Sequence, residues 1–432
     1  MAELIHRHWQ PADQSGLVAA DRRGGRYSAY VPDMLCGRPL ALDGALGASA
    51  AAAERAIRGL SVLPGSRGLA AISRLLTRSE AISSSMIEGI APSPQQVALA
   101  ELGLTEKVRG LSDKAKLVAN NIAVLRTASG ELVSSPTITI TDIEALHDGL
   151  LPDDRHRGIR TVQNWIGGSN WNPLSAQFVP PPPEMVPTLV DDLVRYMNGA
   201  SHGPLIQAGL AHAQFETIHP FTDGNGRVGR ALIHTVLARG GLSPDAVLPV
   251  SLVLATLSDR YVEGLNSYRY IGPADRAEAG NGQTAWLTFF VEAASITIDQ
   301  AAQLAADVSA LETAWHHKVH QNRAERGLRT TLRANSAAQR MLSLLPEAPV
   351  LTARSAERLI DASFNTARNA LEELADAGVL TRKVIERGTT GYLAHDILDL
   401  VGITERRLAS TQFDTRTSPP SRPAPARPPT RE

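Results

Sequence analysis

The run His219-Pro220-Phe221-Thr222-Asp223-Gly224-Asn225-Gly226-Arg227-Val228-Gly229-Arg230 limits how this chain can fold more than any other feature. Its two glycines let the backbone reverse and let successive N–H groups converge on an anion. Residues 227–239 then carry Val228, Leu232, Val236 and Leu237 at helical spacing. The turn therefore falls at a helix N-terminus, where unpaired N–H groups and the positive dipole end favour phosphate. His219 is of the side-chain type that titrates near neutrality and can take a proton. Asp223 is a hard oxygen ligand suited to Mg²⁺. Arg227 and Arg230 offer fixed guanidinium forks from the first helical turn. Two arginines there oppose the dipole, so a purely structural role leaves them unexplained. Together these groups describe a site for a nucleoside triphosphate.

The run resembles the signature of the Fic family, His-x-Phe-x-Asp/Glu-Gly-Asn-Gly-Arg-x-x-Arg, at every specified position. The resemblance implies an all-α fold, a Fic helical domain with a small β-hairpin flap. It also implies AMP transfer from ATP to a Ser, Thr or Tyr hydroxyl of a target protein, the chain itself included. On the matching positions, His219 becomes the general base and Asp223 holds Mg²⁺ on the α- and β-phosphates. Gly224, Asn225 and Gly226 become the anion hole, Arg227 contacts the phosphates and Arg230 meets the γ-phosphate. Val228 and Gly229 complete the nucleotide-binding run. Within the same fold, transfer of UMP, phosphocholine or phosphate, and removal of AMP, are the rival chemistries. Intact Gly226-Arg227 disfavours the kinase-like variant.

A second stretch, residues 69–90, sets Ile72, Leu75, Leu76, Ile82 and Met86 on one helical face and is stopped by Pro92 and Pro94. Glu88 precedes a glycine at its end, where the dipole disfavours an anion, so a cationic partner from elsewhere is expected. Ser84 and Glu88 match the inhibitory motif of the Fic family, Ser/Thr-x-x-x-Glu-Gly/Asn. The resemblance implies that Glu88 pairs with Arg230 and obstructs the γ-phosphate position.

Composition agrees with a helical protein: only 4% of the residues are aromatic, whereas alanine and leucine abound. A net charge of −1 exerts no global pull toward nucleic acid or anionic lipid. The single cysteine, Cys36, allows no internal disulfide and suits a reducing cytoplasm. No apolar run reaches the roughly 18 residues that a membrane helix needs, so no membrane partner is expected.

Spacing predicts helices over 43–60, 94–103, 113–127, 183–198 and 205–218, and a capping box from Thr141 to Glu144 opening another through Leu151. Residues 1–40 suggest no chemistry. Residues 158–168 and 178–179 read as two short extended arms, and residues 165–183 resemble the family's flap, which receives the target backbone as an added strand. An ordinary surface hairpin fits that segment nearly as well. Tyr261 and Leu265 match the stretch that closes over adenine in the family, whereas Val262, Gly264 and Arg269 depart from it. Weaker stacking on the base follows. Trp286, Phe289 and Phe290 read as core.

A long helix over 296–321 leads to a C-terminal unit, with helices opened by Thr352 and spanning 365–377, then strands over 379–385 and 392–393. This order resembles a winged helix, a common DNA-binding module. Arg354, Arg358, Arg368, Arg382, Lys383 and Arg387 are offset there by Glu357, Asp361, Glu372, Glu373, Asp376 and Glu386. DNA reading through Asn365, Thr366 and Arg368 and contact with a second copy or a target remain equally open. The expected division is 1–110 with the inhibitory helix, 111–295 catalytic, 296–408 linker and winged helix, and a disordered tail over 409–432.

Overall fold

The computed structural model describes residues 1–11, 18, 21–38, 40, 42–60, 72–199, 202–243 and 246–412. It is mostly helical, with two small antiparallel sheets. Two helices, Pro204–Ile218 and Asn225–Arg239, form its centre, and every residue of the second except Arg239 is buried. A helix buried all round needs neighbours on all sides. The helices Ser73–Ile87, Asp113–Ser129 and Ile140–Leu150 pack against it.

Ser73–Ile87 ends as its sequence suggests. Gly89 adopts φ 74°, its N–H bonds to the Met86 carbonyl, and the Ile90 N–H reaches back to the Ser85 carbonyl. These paired bonds satisfy carbonyls that a helix end leaves open and leave Glu88 as the last cap residue. Midway along, the fully buried Glu80 accepts from His234 Nε2 at 3.0 Å and from the Ser251 N–H at 2.7 Å and Oγ at 2.5 Å. Replacing Glu80 with alanine strands these donors and is expected to lower stability by about 3 kcal/mol. A reduced urea midpoint with an unchanged slope is the measurement that checks it.

Several elements differ from expectation. The first forty residues hold an antiparallel hairpin, Glu3–Trp9 with Gly25–Val31, whose first strand is mostly exposed and so carries little apolar alternation. The 165–183 reversal forms no strands, only a bridge between Ile166 and Phe178. Gly167 and Gly168 both take positive φ just beyond it, and the prolines from Pro180 remove ladder donors. The capping box forms at Thr139 and Asp142, two residues before the expected position, and opens Ile140–Leu150. The long helix begins well before 296: Ala277–Glu325 is continuous, carrying Trp286, Phe289 and Phe290 into the core.

The C-terminal unit has helices Ala337–Leu344, Ala353–Ile360 and Phe364–Asp376, and strands Val350–Leu351, Thr381–Glu386 and Thr389–Leu393. The strands pair in the order first, third, second. A last helix, His395–Gln412, runs past the expected start of the tail, because Ile397, Leu400, Val401, Thr404 and Leu408 share one buried face. The rest of the tail, 413–432, lies outside the described residues, as does the beginning of the 69–90 stretch. The unit holds the Ser73–Ile87 helix from behind, since Arg78, which also pairs with Glu101 of the Pro94–Gly103 helix, donates to the Glu347 carbonyl. Among the described residues no helix is long and apolar enough to cross a membrane.

Candidate active site

The loop 219–224 joins the two central helices, and its shape depends on residues far away in sequence. His219 caps the first helix in the left-handed region, φ 51° and ψ 61°, a conformation that costs a non-glycine residue and persists only when its surroundings impose it. Those surroundings are visible. Arg160 Nε donates to the His219 carbonyl at 2.9 Å, and the Arg160 N–H donates to the Pro220 carbonyl at 2.9 Å. Asn225 holds Phe221 at both main-chain groups, each at 2.8 Å, and Asn164 Nδ2 adds a bond to the Phe221 carbonyl. His147 stacks on the Phe221 ring at 4.0 Å and bonds the Asp223 carbonyl. Thus the Asn225 side chain braces the loop, leaving the Asn225 and Gly226 amides to meet an anion.

Gly224 is the cap of the second helix, at φ 78°. Beyond it the first-turn N–H groups of Asn225, Gly226 and Arg227 have no intrahelical acceptor. Arg227 is only 2% exposed, and its Nε and Nη1 are buried without partners among the described residues. Its nearest acid is Asp223, 3.9 Å away and 59% exposed. Burial lowers the Arg227 pKa, with Asp223 partly opposing it. Leaving a buried guanidinium so poorly paired is costly unless an anion completes it.

Arg230 is the opposite case. Its Nε donates to Ser84 Oγ at 2.9 Å, and its Nη2 donates to the Ser84 carbonyl at 2.8 Å and to Glu88 Oε1 at 2.7 Å. Burial opposes its charge, but Glu88, Tyr261 and Glu216 hold its pKa above the usual guanidinium range. Glu88 also lies over Gly226, where an added Cβ would overlap Oε1. Gly229 is a packing position, since a Cβ there would overlap Glu216. Val228 is buried, with its N–H on the Gly224 carbonyl.

His219 is 18% exposed, and burial pushes its pKa down to about 4, helped by Arg160. The ring is therefore neutral at physiological pH. Nδ1 is its buried nitrogen, so Nε2 is the one that solvent and substrate can approach.

Tyr261 does not stand where the sequence put it. It is buried against Trp286 and Phe289, and its hydroxyl bonds His212 Nε2 at 2.8 Å. A ring committed to the core offers no face to a base. The departure at Gly264 has a steric reason, for a Cβ would come within 3.0 Å of Trp286. Arg269 lies over the Phe178 ring at 3.5 Å, joining this stretch to the flap.

The profile that describes the Fic/DOC family matches residues 137–237. The chain carries a Fic domain. That span contains the brace residues Arg160, His147 and Asn164 as well as the whole of the His219–Arg230 run, while Glu88 comes from outside it. Among relatives, protein adenylyltransferase fic-1 of Caenorhabditis briggsae is 32% identical over 45% of this chain and 41% of its own length. Protein adenylyltransferase Fic of Drosophila melanogaster is 34% identical over 29% of this chain and 25% of its own. The chain thus spans less than half the length of these relatives. A solved Fic family protein from Desulfovibrio desulfuricans G20 superposes with a TM-score of 0.49 at 19% identity, covering 82% of this chain and 97% of that one.

Arg160, His147, Asn164 and Glu216 escaped the sequence reading of this Fic domain. Residue type alone marks none of them. Only Glu216 left a signal, lying three positions before His219 on a helix and so on a neighbouring face.

Proposed function

We propose that this chain is a protein adenylyltransferase, moving AMP from ATP to a Ser, Thr or Tyr hydroxyl of a target protein, with Glu88 holding the activity in check. The observation that carries the reading is Arg227, a buried guanidinium with two unpartnered nitrogens beside the open N-terminus of the Asn225–Arg239 helix. The names of the relatives support AMP rather than another transferred group. In the reaction, the Asn225 and Gly226 amides and Arg227 bind phosphate, and Arg230 binds the γ-phosphate once Glu88 leaves. His219 Nε2 takes the hydroxyl proton, the oxygen bonds to the α-phosphorus, and the bond to pyrophosphate breaks. Catalysis on these terms is positioning and charge stabilisation. The catalytic part is residues 111–295.

Asp223 fits a magnesium ion shared with the substrate. Its Oδ1 accepts the Gly224 N–H at 2.6 Å, and the half-exposed carboxylate leaves Oδ2 for a cation. Among the described residues no group of three or more His, Cys, Asp or Glu is placed to hold a metal unaided. A single carboxylate suits an ion that takes its other ligands from phosphates and water. Magnesium bound there would neutralise charge on the phosphates and orient them. Asp223→Asn is expected to lower kcat/KM on the order of 10²-fold, as several kcal/mol of this stabilisation are lost. A magnesium titration at fixed ATP checks this, the half-saturating concentration rising in the variant.

The test of the chemistry uses ATP labelled on either the α- or the γ-phosphate, with the Glu88→Gly variant and lysate as acceptor. Label from the α-position alone, with an added mass of one AMP, is the expected result. Label from the γ-position would mean phosphorylation and overturn the reading. We place the reaction in the cytoplasm, where the free, exposed Cys36 would stay reduced. For the winged-helix-like unit we favour protein contact, with a second copy or the target, over DNA. Arg382 is taken by Glu372 and Asp376, and Arg358 by Glu106, which leaves a weaker basic face than a DNA reader presents.

A further inference from the structure

The Pro204–Ile218 helix carries a buried acid with no established task. Glu216 is 7% exposed, and its Oε1 has no partner among the described residues. Its Oε2 lies 4.0 Å from Nδ1 of His219, one helical turn later. Among the described residues no hydrogen bond of good geometry satisfies that Nδ1. The polar groups beside it are this carboxylate and the main-chain carbonyl of the same residue. A carboxylate with one unsatisfied oxygen and an unsatisfied ring nitrogen thus lie side by side, with Oε2 the nearer oxygen. Hydrogen bonds of catalytic groups are often long without substrate and tighten when it binds.

We propose that Glu216 is a positioning residue for His219: its carboxylate receives the Nδ1–H, directs the lone pair of Nε2 at the acceptor hydroxyl, and steadies the imidazolium that forms. This deepens the adenylyltransferase reading and rests on it for its kinetic arm alone. The need for such a partner is physical. A buried imidazole whose pKa lies near 4 is a feeble base at neutral pH, and a proton acceptor works best with a pKa near the working pH. An adjacent carboxylate raises imidazole basicity. The proton count is simple, since the hydroxyl proton moves to Nε2 and Glu216 keeps its charge throughout.

Other charges face the pair from each packed element. Arg230 and Glu88 reach Glu216 from the Asn225–Arg239 and Ser73–Ile87 helices, and Arg269 reaches it from beyond the Ser258–Tyr268 helix. Tyr261 and His212 flank the same space, and Arg160, Glu88 and Arg269 face His219. Burial pushes the Glu216 carboxyl up to about 7, and Glu88 adds to the rise. The carboxylate is therefore present above that range and lost below it. Displacing Glu88 from Arg230 favours the ionised form, so clearing the phosphate position and strengthening the base are one event.

The test compares Glu216→Gln and Glu216→Asp, each built on Glu88→Gly. Against that parent, Glu216→Gln is expected to lower kcat on the order of 10²-fold, the scale of general-base assistance, with the KM for ATP within about twofold. The parent should lose rate as pH falls from neutrality toward the His219 range. The Gln variant should lack this limb, and the Asp variant should keep it at reduced rate. A second arm needs no turnover, namely the NMR titration of the His219 imidazole in the otherwise native protein. There the ring signals should show a step near pH 7, where Glu216 ionises beside Nδ1, and Glu216→Gln should abolish it. A Gln variant that keeps this step overturns the proposal and leaves the main-chain carbonyl as sufficient. So does a loss of rate with the acid limb intact, which would mark Glu216 as structural. A parent that transfers no AMP while the step is lost in the Gln variant would sink the assigned activity and leave the coupling of Glu216 to His219 standing.

Discussion

Changing Glu88 to glycine is expected to raise AMP transfer on the order of 10²- to 10³-fold, the usual worth of one well-placed charge-stabilising donor. In the present state Arg230 Nη2 is spent on Glu88 at 2.7 Å, and the carboxylate covers Gly226. A γ-phosphate has neither its guanidinium nor its space. The variant frees both, while the two Arg230 bonds to Ser84 persist and keep the guanidinium aimed. Glu88→Gln separates the two causes, because the amide keeps the bulk but loses the charge. An intermediate rate means that both matter. Stability should move the other way. Arg230 is almost wholly buried and loses one partner, so the melting temperature should fall without ATP and recover as ATP is added. Equal labelling by the parent and by Glu88→Gly would remove the case for self-inhibition.

Within that activated background, His219→Ala is expected to reduce transfer on the order of 10²- to 10⁴-fold, the span attributed to a positioned general base. ATP affinity should be nearly unchanged, since Arg227, Arg230 and the helix N-terminus hold the phosphates. Calorimetric titration with ATP separates the two quantities. The substitution has a conformational side as well. Residue 219 sits at φ 51°, where alanine is disfavoured, whereas asparagine visits the left-handed region more readily. His219→Asn therefore keeps the loop shape and removes the base, and both variants should be equally inactive. Should the Asn variant retain full transfer, proton removal by the ring is not part of the reaction.

Much of the fold could be read from local spacing. The helices Pro94–Gly103, Asp113–Ser129 and Asn225–Arg239 sit within two residues of their expected ends, and Gly89 stops Ser73–Ile87 through its positive φ. The N-terminal hairpin was not readable, for the exposed faces of Glu3–Trp9 leave no apolar period to detect. The sequence of the flap suggests two strands, because turn residues separate β-formers there. Proline and paired left-handed glycines instead limit it to one bridge. Tyr261 shows the reverse problem: a residue type suited to stacking was drawn inward by Trp286 and His212.

From its residues alone the chain specified a glycine-hinged helix start, two arginines in its first turn and an acid at the end of an earlier helix. Each follows from steric limits on φ and from periods of a few residues, which act over short distances along the chain. The order of residues was silent about which arginine would be occupied. Glu88 reaches Arg230 across 142 positions, while Arg227, three residues away on the same helix, keeps two nitrogens without partners among the described residues. That difference is set by which side chains packing carries out of water together, and by the energy of desolvating a charge, which depends on distance in space and not along the sequence.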